Sequence, residues 1–344
     1  ALQREVTSIA KDELPQLIAE ADLVAESALI KEVIALRQQT GMTSVKKYQR
    51  MIECAGDDGR AHGLFQFYGA NRTGRWAGRL IQLQNLPRNY IDQIANARNL
   101  VRKGAFNTIN ILYDNVTDIL SQLIRTALIA PEGKLLVAAD FSAIEARVLS
   151  WLAGEEWRMQ VFATHGKIYE ASAAMMYNLP IESIAKDSLE RHKGKVAELA
   201  LGYQGAAGAM KQMGAEAMGL DDAEIGNIVR VWRGKNPKIV GLWAAVDNAV
   251  KEAVQKSCEI VLTAYRNITI NSEGKVLTIL LPSGRKLFYQ KPRMTRNKWG
   301  QPSVKYMGQH HSRWVWIESY GGKFVENICQ AIARDILGVA MLKM

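Results

Sequence analysis

Lys134-Leu-Leu-Val-Ala-Ala-Asp140-Phe-Ser-Ala-Ile-Glu145-Ala-Arg147-Val-Leu-Ser-Trp-Leu-Ala-Gly154 changes its hydrophobic period at the middle. Leu135 to Ala139 form an unbroken apolar run of strand length, whereas Ile144, Val148, Leu149 and Leu152 recur at the spacing of one helical face. This pattern predicts a buried strand that delivers Asp140 to a cleft, followed by a helix that begins near Ser142. Ser142 and Glu145 also have the spacing of a capping box, in which each side chain satisfies a backbone amide at the helix start. Taken alone, an acid at such a junction is more often a helix cap than a ligand. The remainder of the chain decides between the two.

Composition narrows the class. With 344 residues, 48% of them hydrophobic, and eight Trp, the chain can fill the cores of two or three packed subdomains. A formal net charge of +10 favours a polyanionic partner, because a basic surface attracts phosphate backbones and releases their counterions. Cys54, Cys258 and Cys329 are odd in number and far apart, which suggests neither a disulfide framework nor a zinc site and fits a reducing, cytoplasmic compartment. There is no secretory leader core and no run of about 18 apolar residues, so export and membrane insertion are not expected. The first residue is Ala1 and the last residues follow a helical pattern, so both ends read as cut.

Working outward from residues 134–154, the first 55 or so residues read as helices, with Leu17, Ile18, Leu23, Val24, Leu29, Ile30, Val33, Ile34 and Leu36 at packing spacing. In Thr73-Gly-Arg75-Trp-Ala-Gly-Arg79-Leu-Ile-Gln-Leu-Gln84-Asn85-Leu-Pro87 the glycines allow close backbone approach. Arg75 and Arg79 can fork onto phosphates there, and Gln84 and Asn85 offer amide donors. Residues 88–130 read as helical, as do 164–177, where Tyr169 reads most simply as a packed helical tyrosine. Arg191, Lys195, Leu199 and Tyr203 recur every fourth residue, a drift of about 40° per step on a helix, so two cations, an apolar residue and an aromatic share one stripe. That order suits a nucleoside triphosphate, with the cations on the phosphates, Leu199 under the sugar and Tyr203 near the base.

Residues 221–255 continue as helix, and 259–269 and 275–289 read as strands, the second holding a Leu-Pro-Ser-Gly turn. Arg293, Arg296, Lys298 and Lys305 then interleave with Trp299 and Tyr306, a mixture that fits either nucleic acid or an exposed loop. His310-His311 has no second ligand pair at zinc spacing and reads as non-metal.

In this order the segments resemble DNA polymerases of family A, the DNA polymerase I family, in their bacteriophage form. Asp140-Phe-Ser-Ala-Ile-Glu-Ala-Arg-Val-Leu is similar to motif A, Thr73 to Pro87 to the family's Thr-Gly-Arg…Leu-Gln-Asn-Ile-Pro segment, and Arg191 to Gly205 to motif B. The resemblance implies that Asp140, with the Phe141 carbonyl, holds Mg2+, two ions being expected in the complete enzyme. Arg191 and Lys195 are then catalytic residues on the triphosphate, joined in nucleotide binding by Tyr169, Leu199, Tyr203 and Glu145. Glu145 would exclude a ribose 2′-hydroxyl beside Tyr203. Arg75, Arg79, Gln84, Asn85 and, on the last helix, Gln330 are implied to hold DNA.

Two positions depart from the family pattern: Leu199 stands for the usual Phe or Tyr, and Gln204 for the Gly after Tyr203. The His-Asp-Glu of motif C, whose Asp is the second metal ligand, does not occur in these residues. A separate or missing C-terminal segment is expected to carry it, and residues 1–344 alone are expected to bind primed DNA without extending it.

The implied fold is α+β, a right-hand polymerase. Residues 1–57 would be the last part of the thumb, 58–165 the first part of the palm, 166–256 helical fingers, and 257–344 the second part of the palm with its antiparallel sheet. The implied function is template-directed DNA synthesis from deoxynucleoside triphosphates on a primer-template, in replication. The alternatives are a non-catalytic DNA-binding polymerase fragment and a single-subunit RNA polymerase, the latter opposed by Glu145.

Overall fold

The protein is seen in a computed structural model that describes residues 17, 18, 20, 27–40, 45–113, 115–310 and 313–344. It divides into two units, one of Ala1–Gln66 and Ala77–Ala138, the other of Phe67–Trp76 and Ala139–Met344.

In the first unit, helix α1 (Ser27–Thr40) buries Ile34 against Leu17, while Leu29, Val33 and Leu36 are exposed, so the expected apolar stripe is used along one line only. Leu23 and Val24 lie outside the described residues. Helix α2 (Lys46–Cys54) sets Tyr48 and Met51 against Ile81, Leu86 and Ile124. The Tyr48 hydroxyl donates to the Leu120 carbonyl at 2.8 Å, and burial pushes its phenol up to about 12. Strands β1 (Phe65–Gln66) and β2 (Ala77–Gly78) pair antiparallel. The helical reading of residues 88–130 resolves into α3 (Ile94–Arg102), α4 (Phe106–Tyr113) and α5 (Val116–Leu123), closed around Ala97, Ile109, Ile119 and Leu123. Asn115 starts α5 by accepting from the Asp118 amide at 3.0 Å.

The second unit opens with seven helices: α6 (Ile144–Ala153), α7 (Glu156–Thr164), α8 (Ile168–Tyr177), α9 (Leu189–Leu201), α10 (Ala207–Gln212), α11 (Asp222–Lys235) and α12 (Pro237–Lys256). Six strands follow, each paired antiparallel with the next: β3 (Glu259–Leu262), β4 (Ile268–Glu273), β5 (Val276–Leu280), β6 (Lys286–Arg296), β7 (Pro302–His310) and β8 (Arg313–Ser319). Helix α13 (Gly321–Lys343) closes the unit. Alternation along the strands turns Ile270, Ile279, Leu287, Tyr289, Val304 and Tyr306 inward, where α12 and α13 supply Trp243, Val246, Phe324 and Ile328. Trp232 and Trp243 stack at 6.1 Å within this core. The architecture is therefore the expected α+β mixture of helices and antiparallel sheet.

Four local expectations are corrected. Residues 134–140 form no strand: Leu135 is 89% and Val137 81% exposed, and no described strand pairs with them. An apolar run becomes a strand only when a neighbour supplies ladder hydrogen bonds, and β3 to β8 pair among themselves. The helix after it does form, burying Val148, Leu149 and Leu152, but the capping box does not. Ala143 precedes the helix at φ 49°, and the Ser142 carbonyl accepts from Arg147 Nε at 2.8 Å instead. The basic and aromatic stretch around Trp299 is the hairpin of β6 and β7, and the strand expected over 259–269 breaks at Thr263–Tyr265. No helix among the described residues is long and apolar enough to cross a membrane.

Candidate active site

Ser188 begins α9 by accepting from the Arg191 amide at 3.2 Å. One side of the helix packs inward through Val196, Ala197, Ala200 and Leu201, which leaves Lys195 and Leu199 exposed and Arg191 and Tyr203 half-buried. The four-residue stripe thus lies along the uncovered side. Arg191 Nε donates to Glu170 Oε1 at 2.7 Å, and its guanidinium sits 5.6 Å from the centre of the Tyr169 ring. This hold occupies one edge of the fork and leaves the terminal nitrogens for a ligand. Lys195 makes no ion pair among the described residues.

Glu145, freed from capping, turns to the end of the stripe. The Tyr203 hydroxyl donates to Glu145 Oε2 at 3.1 Å, and Arg75 Nη1 lies 3.6 Å from Glu145 Oε1. Three residues drawn from distant parts of the sequence therefore meet in one cluster. Burial first, then neighbouring Cys329 and Glu145, push the Tyr203 phenol well above its ordinary value, so it stays a proton donor. The turn after Tyr203 explains the departure at Gln204. This residue sits at φ 66°, where glycine is usual, and its Oε1 accepts from the Gly322 amide at 2.9 Å, offsetting the strain. A Cβ on Gly322 would overlap the Tyr203 carbonyl oxygen and the Gln204 Cβ. Gly322→Ala is expected to cost about 1–3 kcal/mol in a denaturant melt, because the turn must move to admit the methyl group.

Behind the stripe lies a polar interior that sequence reasoning missed. Fully buried Arg158 forks onto Glu198, with Nη1 to Oε1 at 2.9 Å and Nη2 to Oε2. Its Nε donates to Ser150 Oγ at 2.9 Å and its Nη1 also to Asn236 Oδ1 at 3.2 Å, while Ser172 Oγ and Trp232 Nε1 donate to Glu198 at 2.6 and 3.0 Å. Burial alone would raise the Glu198 carboxyl, but the Arg158 charge and these donors together hold it below the ordinary carboxylate range. Helices α6, α7, α8, α9 and α11 all contribute to this knot. It fixes α9 from the inside.

Asp140 and Phe141 are exposed, and Asp140 makes no side-chain hydrogen bond or ion pair among the described residues. No group of three or more His, Cys, Asp or Glu that could hold a metal ion is present among the described residues, so Asp140 does not make a two-metal site with other acids seen here. Asp335 is committed elsewhere: it takes Arg285 Nε at 2.8 Å, Arg334 Nη1 at 3.3 Å and Ser283 Oγ at 2.6 Å. Arg334 Nε in turn donates to the Gly74 carbonyl at 3.0 Å and its guanidinium lies 4.6 Å over Trp76. Gly74 has φ 76°, and a Cβ there would lie 2.7 Å from the Tyr68 ring.

Between residues 69–73 and α13 runs a cleft of about 410 Å³ lined by Asn71, Arg72, Thr73, Lys323, Glu326 and Gln330. The buried Thr73 hydroxyl lacks a hydrogen-bond partner there. Of the predicted DNA contacts, Arg75 and Gln330 belong to this second unit, and Arg79, Gln84 and Asn85 are exposed in the first.

The chain is 49% identical over 341 residues to a DNA polymerase of Bacillus phage SP02, covering 98% of this chain and 52% of that protein. It spans about half the length of that relative. A shorter segment of 93 residues, 27% of this chain and 11% of that protein, is 40% identical to thermostable DNA polymerase I of Thermus aquaticus. Among solved structures, the polymerase domain of Pol1 from M. smegmatis, in complex with DNA primer-template and dNTP, superposes with a TM-score of 0.50 at 16% identity. That match covers 95% of this chain and 42% of the other, a likeness of fold. The sequence model of DNA polymerase family A matches residues 3–276. The chain belongs to DNA polymerase family A.

Proposed function

We propose that these residues form part of a template-directed DNA polymerase that transfers a deoxynucleotide from its triphosphate to a primer 3′-hydroxyl. The observation that carries the proposal is the meeting of Arg75, Glu145 and Tyr203 at the end of the stripe of Arg191, Lys195 and Leu199. The primer oxygen attacks the α-phosphate and pyrophosphate leaves. Lys195 and the free nitrogens of Arg191 meet the triphosphate, offsetting its charge as the bond to the leaving group lengthens. Leu199 lies under the sugar and Tyr203 near the base. Family A polymerases are in general metal-dependent, and bound Mg2+ would supply electrostatic stabilisation of the transferred group, with Asp140 and the Phe141 carbonyl as its ligands from these residues.

Arg75, Arg79, Gln84, Asn85 and Gln330 are assigned to the primer-template, in keeping with the primer-template and dNTP bound to the Pol1 domain of similar fold. The test is extension of a primed DNA template with the His-Asp-Glu segment supplied in the same chain or separately. Lengthening of the primer is expected; none, with DNA binding retained, would refute the proposal.

Glu145 sets the choice of sugar in this scheme, since its carboxylate accepts from the Tyr203 hydroxyl at the end of the stripe, where the sugar is assigned. Glu145→Ala is expected to raise ribonucleotide incorporation by about ten-fold or more, as one disfavoured contact worth about 1.4 kcal/mol is removed. The ratio of ribo- to deoxynucleotide incorporation measures this. The thermal melt should fall only modestly, because the Tyr203 hydroxyl loses its acceptor while no helix cap is lost.

A further inference from the structure

We propose that the outward face of the β3–β8 sheet is a second nucleic-acid surface. On it, the bases of single-stranded DNA stack on Trp314 and Trp316 while Arg293 and Lys305 meet the phosphates. This surface rests on the DNA polymerase reading for its biological setting, but its binding chemistry is separate. Strand alternation makes the face. Opposite Trp316 stands Met307, opposite Trp314 stands Gln309, and Arg293 pairs with Lys305, while the inward positions Val304 and Tyr306 are in the core. Trp314 is 57%, Phe288 58% and, at the hairpin tip, Trp299 72% exposed.

Large aromatic rings on a water-facing sheet are costly unless something covers them. Two features point to nucleic acid as the covering partner. Between Glu273 and Glu318 the sequence carries nine Lys or Arg and no acid, and although Glu318 itself stands opposite Lys305 on this face, the excess of cations suits phosphates. The cations are also placed on the rings: Arg293 lies 3.7 Å and Lys305 5.8 Å from the centre of Trp316, and Lys298 4.5 Å from that of Trp299.

Trp314 and Trp316 stand about 7 Å apart along one strand, enough for each ring to take its own base. The pattern of aromatic platforms flanked by cations is what sequence-tolerant single-strand binding requires. The face also runs toward the cleft. Gln309, opposite Trp314, is held by Asn71 and Arg72, which line that cleft with Lys323 and Gln330. A duplex offers no free base faces, so the occupant is an unpaired strand.

The experiment is fluorescence anisotropy of a labelled oligothymidylate and of a blunt duplex with residues 1–344. Trp314→Ala and Trp316→Ala are each expected to weaken oligothymidylate binding about ten-fold, with Trp314→Phe retaining most of it and the blunt duplex unaffected. Unchanged oligothymidylate affinity in both Ala variants, an equal loss for the duplex, or no oligothymidylate binding by the unaltered protein would overturn the proposal, the last in favour of a protein partner. Should an Ala variant unfold, Lys305→Gln and Arg293→Gln test the phosphate contacts. Each is expected to reduce the salt dependence of single-strand binding by about one ion, and an unchanged slope would count against the surface. Loss of primer extension with these effects intact would remove the polymerase reading alone. Intact extension with tryptophan-independent binding would remove this surface alone.

Discussion

Arg158→Ala is expected to lower stability by about 3–5 kcal/mol, because it leaves the Glu198 carboxylate buried without its counter-charge. Ser150 and Asn236 lose a donor as well, in a place water does not reach. Denaturant unfolding measures the loss. Arg158→Met combined with Glu198→Leu is expected to recover most of it, since an apolar pair of similar volume removes both charges together. Recovery would assign the loss to charge; its absence would assign it to packing.

The same pair predicts an acid dependence. Glu198 has a folded-state value below its unfolded one, so it contributes stability that is fully present above the ordinary carboxylate range. That stability is lost as pH falls through the folded value. The melting temperature is therefore expected to decline in acid, more steeply in the unaltered protein than in Glu198→Gln.

Asp140→Asn is expected to reduce primer extension about a thousand-fold or more, the rate equivalent of about 4 kcal/mol, in a polymerase assembled with motif C. The amide keeps the size of the side chain and loses the negative charge that a hard divalent cation requires. Asp140 is exposed and makes no side-chain hydrogen bond or ion pair among the described residues, so neither the melt nor affinity for primed DNA should change. Single-turnover extension beside a DNA-binding titration separates these effects. Near-normal extension by the variant would remove Asp140 from its metal role.

Periodicity carried the helices well. The spacing of Val148, Leu149 and Leu152, and the four-residue stripe ending at Tyr203, express local geometry that a single segment decides. Strands depended on partners the pattern does not name. The run at 135–139 has strand composition yet no ladder, whereas β7 and β8 place Trp314 and Trp316 where polar residues are usual, so their alternation was hidden. The Arg158–Glu198 knot had no sequence signal, because one arginine and one glutamate forty positions apart resemble any surface pair. The meeting of Glu145 with Tyr203 was implied only through the family pattern, and Arg75 beside them was not expected. The structure gives the contact itself and removes the competing capping role.

Residues 67–76 belong to one unit although the chain on both sides of them belongs to the other. Cutting the polypeptide at residue 138 would not yield the second unit whole, because Phe67, Tyr68, Gly74 and Trp76 would stay behind and Arg334 would lose the carbonyl and rings that hold it. The Arg334–Gly74 bond joins positions 260 residues apart. Closing such a span costs chain entropy before any contact repays it, so this part of the unit should be ordered late in folding, after the helices and the sheet meander have formed from near neighbours. A ribosome releasing the chain from its first residue would present the short segment long before its acceptor helix exists, leaving two aromatic side chains waiting in water for the last helix to arrive.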